Sequence, residues 1–240
     1  MMCGRYQNGR QKQDIAHHFK VKRIFEEPYA PDFNIAPTTF QPILRTSLET
    51  DERELALARW GLLPFFAKSL ADFKGFSTFN ARAETLGKSP IWRTPSQKRR
   101  CLVPADGFYE WMKMDASPKP ARRPYSITLT NGEPMAFAGL WDAWKDPNSG
   151  TWLQSFTIIT TEANELMSPI HNRMPVILHP RNWEEWLTRH DTHTPVHLLR
   201  PYESESMCAN TCNPAVGNVR NNGPEMLACP APGSPPVNSA

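Results

Sequence analysis

The sequence predicts an α+β domain built mainly on antiparallel strands, and three observations support this fold class. Apolar and polar residues alternate over short segments, most clearly where Tyr125, Ile127 and Leu129 take every second position. Helical patterns are few and short. Finally, 24 of the 240 residues are proline, about twice the usual ~5%, which favours short elements joined by loops over long helices.

The first elements are a helix and two strands. Residues 11–20 predict a short helix on which Ile15 and Phe19 lie one turn apart. Segments 41–46 and 53–60 predict strands separated by an acidic turn. Residues 63–98 have weak regular signals, and a run of that length in a compact domain suggests a function.

Strand signals return in the second half of the chain, at 100–103, 125–130, 135–141 and 152–160. The dipeptide Asn131-Gly132 suits a tight hairpin turn between the second and third of these strands. Residues 162–167 predict a short helix. A better helix is predicted over 181–189, behind Pro180, with a buried face of Trp183, Trp186 and Leu187.

Composition indicates one domain over residues 2–228 followed by a tail over 229–240, whose Pro, Ser, Gly and Asn content predicts disorder. The net charge of +3 is too small to indicate a polyanionic partner unless arginines gather on one face. Five irregularly spaced cysteines argue against a disulfide framework. Since no run of ~20 apolar residues or signal peptide is present, we expect a soluble, intracellular monomer without membrane contact.

Cys3 is the first candidate for chemistry. A cysteine at a processed chain start carries an amine and a thiol on adjacent carbons, and this 1,2-aminothiol reacts with an aldehyde to an imine and then to a five-membered thiazolidine. An α-amine has a pKa of about 8, so a useful fraction is uncharged near neutrality. The alternative is that Cys3 is an incidental residue near the terminus.

Three further segments carry polar groups suited to a reaction site. Asn80 and Arg82 offer an amide and a fork suited to phosphate. Glu110 is flanked by aromatics, and desolvation there favours acid–base work. His171 lies beside Arg173 in a Pro-containing turn and can donate a proton near neutral pH. Each segment has a structural alternative. Asn80 and Arg82 could be turn and surface residues, Glu110 could face solvent from a strand whose aromatic neighbours point inward, and His171 could have a structural role.

Metal and cofactor signatures are weak. Cys208, Cys212 and Cys229 lie near two histidines, but no CxxC pair occurs and the spacings fit no usual zinc pattern. No Gly-rich phosphate loop or GxSxG elbow is found. We therefore expect neither metal nor cofactor.

Taken in order, seven motifs closely resemble the SOS-response-associated peptidase (SRAP) family, also called abasic-site processing proteins, over roughly residues 2–227. They are Cys3-Gly4-Arg5-Tyr6, Asn34-Ile35-Ala36-Pro37, Trp60-Gly61-Leu62-Leu63-Pro64, Asn80-Ala81-Arg82-Ala83-Glu84, Pro104-Ala105-Asp106-Gly107-Phe108-Tyr109-Glu110-Trp111, His171-Asn172-Arg173-Met174-Pro175 and Val216-Gly217-Asn218-Val219-Arg220. Each alone is weak, but the series is specific.

The resemblance implies a distorted barrel-like core of strands with peripheral helices, and a basic groove for single-stranded DNA that contains abasic sites. It implies that Cys3, once terminal, forms a thiazolidine with the abasic sugar in the DNA damage response. His171 is implied to assist ring opening, Glu110 to handle protons, and Asn80 to position the terminus and the sugar. The implied DNA contacts are Arg5, Arg82 and Arg173 to phosphates, Asn34 shaping the pocket, and Trp60 in an apolar wedge beside the lesion.

One departure from the family pattern concerns the chain start. The family begins Met-Cys-Gly-Arg, whereas this sequence begins Met1-Met2-Cys3. Either translation starts at Met2, which we favour, or a further cleavage exposes the cysteine, for which the family's autopeptidase activity provides a route. The location implied is the nucleoid in a bacterium and the nucleus in a eukaryote.

Two other functions remain open from the sequence. A cysteine peptidase would use Cys3 as nucleophile and His171 as base. A non-covalent nucleic-acid-binding module would rely on Arg82, Arg173 and the basic run Lys98-Arg99-Arg100, and would bind intact and abasic strands equally.

Overall fold

The computed structural model describes residues 4–73, 77–114, 121–188, 193–228 and 237–238. Cys3 and all but two residues of the predicted tail lie outside the described residues.

The helices are α1 (Lys12–His18), α2 (Pro90–Lys98) and α3 (Trp183–Leu187). The strands are β1 (Tyr6–Asn8), β2 (Arg23–Ile24), β3 (Asp32–Ile35), β4 (Phe40–Thr46), β5 (Arg53–Trp60), β6 (Asn80–Arg82), β7 (Arg100–Ala105), β8 (Gly107–Met114), β9 (Ala121–Leu129), β10 (Met135–Lys145), β11 (Trp152–Glu162), β12 (Arg173–Pro175), β13 (Met207–Thr211) and β14 (Val237–Asn238).

The larger sheet closes into a barrel-like ring. Its strand order is β12-β11-β10-β7-β4-β5-β2, with β6 also paired to β11. The ring closes because β11 pairs with β5 in parallel, with Ser155 opposite Arg59 and Phe156 opposite Trp60. Five strands, β5, β4, β7, β10 and β11, therefore form the closed unit, which confirms the predicted α+β fold with a distorted barrel-like core.

The smaller sheet has the order β13-β9-β8-β1-β3, with β14 also paired to β9, and its pairings are antiparallel. Residues of the smaller sheet share one hydrophobic cluster with the larger sheet, and the helices share another with it. Alternation along β10 shows this arrangement: Phe137 and Trp141 join the cluster shared with the smaller sheet, whereas Ala138 and Leu140 join the cluster that contains the helices. Burial on both faces explains the continuous apolar sequence of β10.

The predicted helices at either end of the domain are confirmed. α1 lies within 11–20 and buries Ile15. α3, preceded by a 3-10 turn from Pro180 to Asn182, buries Trp183, Trp186 and Leu187. None of the described helices has the length and apolar character needed to cross a membrane.

The Asn131-Gly132 turn is not a hairpin, which corrects the prediction. Gly132 does adopt a left-handed conformation, with φ of 71°. However, β9 pairs with β8 and β13, and β10 pairs with β7 and β11. The turn moves the chain from one sheet to the other, because each flanking strand has better partners elsewhere.

Two other elements differ from the predictions. Instead of a helix at 162–167, β11 continues to Glu162 and a turn follows in which Asn164 accepts the amide of Met167 at 2.9 Å. Within the weakly patterned segment 63–98, α2 begins at Pro90. Its last turn is stabilised by Arg100, whose Nη1 donates to the carbonyls of Ser96 and Gln97 at 2.9 Å.

Candidate active site

A cavity of about 590 Å³ opens between the β8–β9 strands and the turn that precedes β12. Its lining consists of Glu110, Trp111, Lys113, Arg122, Ser168, Pro169, Ile170, His171 and Asn172. Two of the predicted catalytic residues, Glu110 and His171, thus line the same cavity although they belong to motifs far apart in the chain. The volume is typical of sites that hold a small ligand group.

Glu110 lies on β8, opposite Tyr125 of β9. Glu110 is only 3% exposed, so the alternative in which it faces solvent is wrong. A carboxylate at this position has little contact with bulk water and can exchange protons with a ligand in the cavity.

His171 is oriented by the backbone of the turn that precedes β12. The His171 amide donates to the carbonyl of Met167 at 2.8 Å. Its Nδ1 accepts the amide of Arg173 at 3.1 Å and lies 3.3 Å from the Arg173 carbonyl. When Nδ1 accepts, the ring proton of a neutral imidazole is on Nε2, so the nitrogen that the turn leaves free is a proton donor.

Arg173 is held by a forked ion pair. Its Nη1 and Nη2 donate to the two carboxylate oxygens of Glu84 at 2.7 and 3.1 Å, and Nη2 also donates to the Thr160 carbonyl at 2.6 Å. The hydrogen bond from Arg173 lowers the pKa of Glu84. The guanidinium therefore joins β11, β12 and the turn after β6, and its position is fixed before any ligand arrives.

Asn80 and Arg82 reach the same region on β6. This strand pairs in parallel with β11, with Arg82 opposite Thr160, and Thr160 is in turn opposite Pro175 of β12. Asn80 is 8% exposed whereas Arg82 is exposed. Arg82 forms no ion pair with a carboxylate among the residues described, although its charge contributes to the lowered pKa of Glu84.

Arg5 and Asn34 anchor the C-terminal segment, while the phosphate contact implied for Arg5 and the pocket-shaping role implied for Asn34 stay predictions. Arg5 Nη1 donates to Asn34 Oδ1 and to the Val216 carbonyl, both at 2.7 Å. Asn34 Nδ2 donates to the carbonyls of Val216, Asn218 and Asn221 at 3.3, 3.0 and 2.7 Å. The Asn34 residue is 3% exposed, so its amide is committed to the fold.

Trp60 is also a core residue. It is 0% exposed, its Nε1 donates to the Phe79 carbonyl at 2.8 Å, and its ring stacks on Phe156 with centroids 6.4 Å apart. The structure leaves it no surface for a DNA base, so the predicted wedge contact of Trp60 is wrong.

The basic run near 98–100 is engaged within the fold too. Arg99 pairs with the buried carboxylate of Asp142, and Arg100, 5% exposed, donates to backbone carbonyls including that of Trp186 at 2.6 Å. The non-covalent binding hypothesis therefore loses two of the cations on which it relied.

The first described residues lie beside β8. The Arg5 carbonyl accepts the amide of Tyr109, next to Glu110, at 3.0 Å. The Tyr109 hydroxyl donates to the Phe33 carbonyl at 2.7 Å, and burial raises the pKa of Tyr109, so the hydroxyl stays protonated and structural. Cys3, two residues before Arg5 in the sequence, lies outside the described residues.

The sequence did not single out Lys113 and Arg122, which also line the cavity. Both lie within two residues of 115–120, which are outside the described residues. Two features of the sequence could have indicated them, namely the position of Lys113 in the alternating pattern of β8 and the basic residues that follow residue 121.

Comparison with known proteins gives consistent results. The sequence matches the model of the SOS response associated peptidase (SRAP) family over residues 2–219. It is 40% identical over 229 residues to the abasic site processing protein YoqW of Bacillus subtilis (strain 168), covering 94% of this chain and 99% of YoqW. It is 31% identical to the abasic site processing protein HMCES of Xenopus tropicalis, covering 84% of this chain and 67% of HMCES. A crystal structure of a protein from Bacteroides thetaiotaomicron aligns with a TM-score of 0.84 at 26% identity, covering 95% of this chain and 100% of that chain.

Proposed function

The chain belongs to the SOS response associated peptidase (SRAP) family, and we propose that it processes abasic sites in single-stranded DNA by capturing the opened sugar covalently through Cys3. The relatives named abasic site processing proteins support the substrate class. The observation that carries the proposal is the cavity in which a buried carboxylate, Glu110, and an oriented imidazole, His171, lie together.

The reaction needs an amine and a thiol on neighbouring carbons. The free α-amine of Cys3 attacks the aldehyde carbon of the open sugar, water leaves, and an imine forms. The thiolate sulfur then adds to the imine carbon while the nitrogen takes up a proton, which closes a thiazolidine ring. No cofactor takes part, and one water is released for each adduct.

The cavity residues supply the proton transfers. An abasic sugar exists mainly as a closed hemiacetal, so its ring oxygen must gain a proton and its anomeric hydroxyl must lose one before the aldehyde is available. Nε2 of His171 donates the first proton. Glu110 accepts protons from the hydroxyl and the attacking amine, and Asn80 positions the terminus and the sugar.

Arg82 on β6 binds the strand, because it is exposed and can contact a phosphate directly. Arg173 is paired with Glu84 and holds the backbone of β11 beside it. Contacts to phosphate and sugar carry no base information, so recognition is nearly independent of sequence. Enclosure of the adduct then protects the lesion from strand breakage.

The mature terminus must begin at Cys3 for this chemistry. Initiation at Met2 followed by removal of that methionine would expose the amine. Cleavage after Met2 by an autopeptidase activity of the same site is the other route.

The proposal is tested with a fluorescent oligonucleotide that carries one abasic site. We expect a heat-stable adduct on a denaturing gel with the wild type and none with Cys3→Ala. Cys208→Ala is the matched control, because this partly buried thiol lies on β13 and should leave adduct formation intact. An undiminished adduct with Cys3→Ala would remove the proposal.

A further inference from the structure

Two cations line the cavity on the side of the β8–β9 strands. Lys113 and Arg122 are directly opposite each other in the antiparallel ladder, a position in which Cβ atoms lie about 4.5–5.5 Å apart on one face. Like charges placed opposite each other destabilise a strand pair. Both side chains are exposed, and neither forms an ion pair with a carboxylate in the part of the chain that the structure describes.

The charges of the cavity are distributed unevenly. The acidic residue in the lining, Glu110, is 3% exposed, whereas Lys113 and Arg122 are at the exposed rim. The opposite side is the turn 168–172, which carries His171. A ligand that places a neutral hydroxylated ring near Glu110 and His171 and an anion near the rim matches this distribution.

A nucleotide unit has this combination of groups. Its sugar is the neutral ring, and the phosphodiester beside it carries one negative charge. A phosphate between two cations relieves their repulsion, and the arginine can bind it through two parallel hydrogen bonds.

We propose that Lys113 and Arg122 form a phosphate subsite that binds the phosphodiester next to the abasic sugar, in addition to the phosphate contact of Arg82. This subsite rests on the proposed function, because it assigns the sugar to the cavity. It gives a physical reason for two cations opposite each other at the mouth of a cavity that also contains a buried carboxylate.

The test compares two aldehydes that differ in phosphate. The double variant Lys113→Gln/Arg122→Gln and the wild type are reacted with free 2-deoxyribose and with a single-stranded abasic oligonucleotide, and adducts are followed by mass spectrometry at several salt concentrations. With the oligonucleotide we expect the double variant to have an at least tenfold lower second-order rate constant than the wild type at low salt. The slope of the logarithm of this rate constant against the logarithm of the salt concentration should be smaller by about 0.7 for each phosphate that the variant no longer binds. With 2-deoxyribose we expect a rate within twofold of wild type.

The matched control is Lys22→Gln/Arg93→Gln, which removes the same two charges from exposed positions outside the cavity. It should leave both reactions within twofold of wild type. Thermal unfolding of the cavity variant should occur at the same or a higher temperature, since the repulsion is removed.

Equal oligonucleotide rates and salt slopes for the cavity variant and the wild type would overturn the subsite. An equal decrease in rate with both aldehydes would overturn it as well, because a phosphate contact cannot affect 2-deoxyribose. Absence of any wild-type adduct with either aldehyde would instead contradict the proposed function, so the two failures are distinguishable.

Discussion

Nδ1 of His171 accepts the backbone amide of Arg173 at 3.1 Å and lies 3.3 Å from the carbonyl of the same residue. The neutral ring therefore has an acceptor role at Nδ1 and a proton on Nε2. When the ring gains a second proton, Nδ1 can donate to the neighbouring carbonyl instead. One backbone segment thus offers Nδ1 of His171 both a donor and an acceptor.

The first prediction concerns His171. Replacement by Asn keeps an acceptor for the Arg173 amide but removes the donor at Nε2, and replacement by Ala removes both. We expect both variants to form the adduct about 10²–10⁴-fold more slowly, while affinity for an intact single strand stays within twofold. Single-turnover adduct formation and fluorescence anisotropy measure the two quantities. Equal rates for His171→Asn and wild type would remove the proton-donor role.

The second prediction concerns Arg82. Arg82→Ala should weaken binding to single strands of any sequence and reduce the slope of log affinity against log salt by about 0.7, because the variant binds one phosphate fewer. Lys22→Ala, outside the cavity, should change neither. Titrations over a range of salt concentrations measure the slope. An unchanged slope with Arg82→Ala would show that this side chain does not contact phosphate.

The strands β4, β5, β7, β9, β10 and β11 and the helices α1 and α3 were predictable because local alternation and turn residues specify them, whereas the other described strands were not predicted. Strand pairing was not predictable. The Asn131-Gly132 turn has residues that are typical of a hairpin, yet its flanking strands belong to different sheets. Partner choice depends on distant segments, which a local pattern does not contain. The helix predicted from residue 162 was wrong at its start for a similar reason, since Glu162 belongs to β11 and pairs with Arg173 of β12.

The residues in the cavity, Glu110 and His171, were predictable from the sequence, whereas the surrounding residues were not. Glu110 and His171 carry chemistry by residue type, and the structure brings them to one cavity. Asn34 and Trp60 fit a DNA-contact role by motif, but burial and hydrogen bonding commit them to the fold. Residue type alone does not distinguish a side chain that contacts a ligand from one that holds the surrounding backbone.

The third prediction uses the pH dependence of the Arg173–Glu84 pair. The pKa of Glu84 is lowered in the folded state, chiefly by its hydrogen bond from Arg173. The pair therefore stabilises the fold above the unfolded pKa of about 4.3, and this stabilisation is lost as pH falls through the folded pKa. Because Glu84 is half exposed, solvent limits the effect to about 0.2–1 kcal/mol.

Denaturant unfolding of wild type and Glu84→Gln tests this dependence. The wild type should be more stable near pH 7, and the difference should disappear well below pH ~4. A difference that persists unchanged at low pH would show that the carboxylate charge is not its source.

The fourth prediction concerns the anchoring role of Asn34. Asn34→Ala should lower the free energy of unfolding by about 1–3 kcal/mol, because it removes the buried donor to three carbonyls and the acceptor for Arg5. Asn148→Ala, at an exposed loop position, should change stability by less than about 0.5 kcal/mol. Chemical denaturation measures both. A stable Asn34→Ala variant with selectively weakened DNA binding would instead support the pocket-shaping role implied for Asn34.

Covalent capture by a terminal aminothiol is tested most directly by the intact mass of the adduct with an abasic oligonucleotide. We predict a mass equal to the chain beginning at Cys3 plus the oligonucleotide minus one water, unchanged by borohydride because a thiazolidine, unlike an imine, is not reduced. An adduct that still contains Met2, or one that gains two hydrogens with borohydride, would contradict ring closure at Cys3.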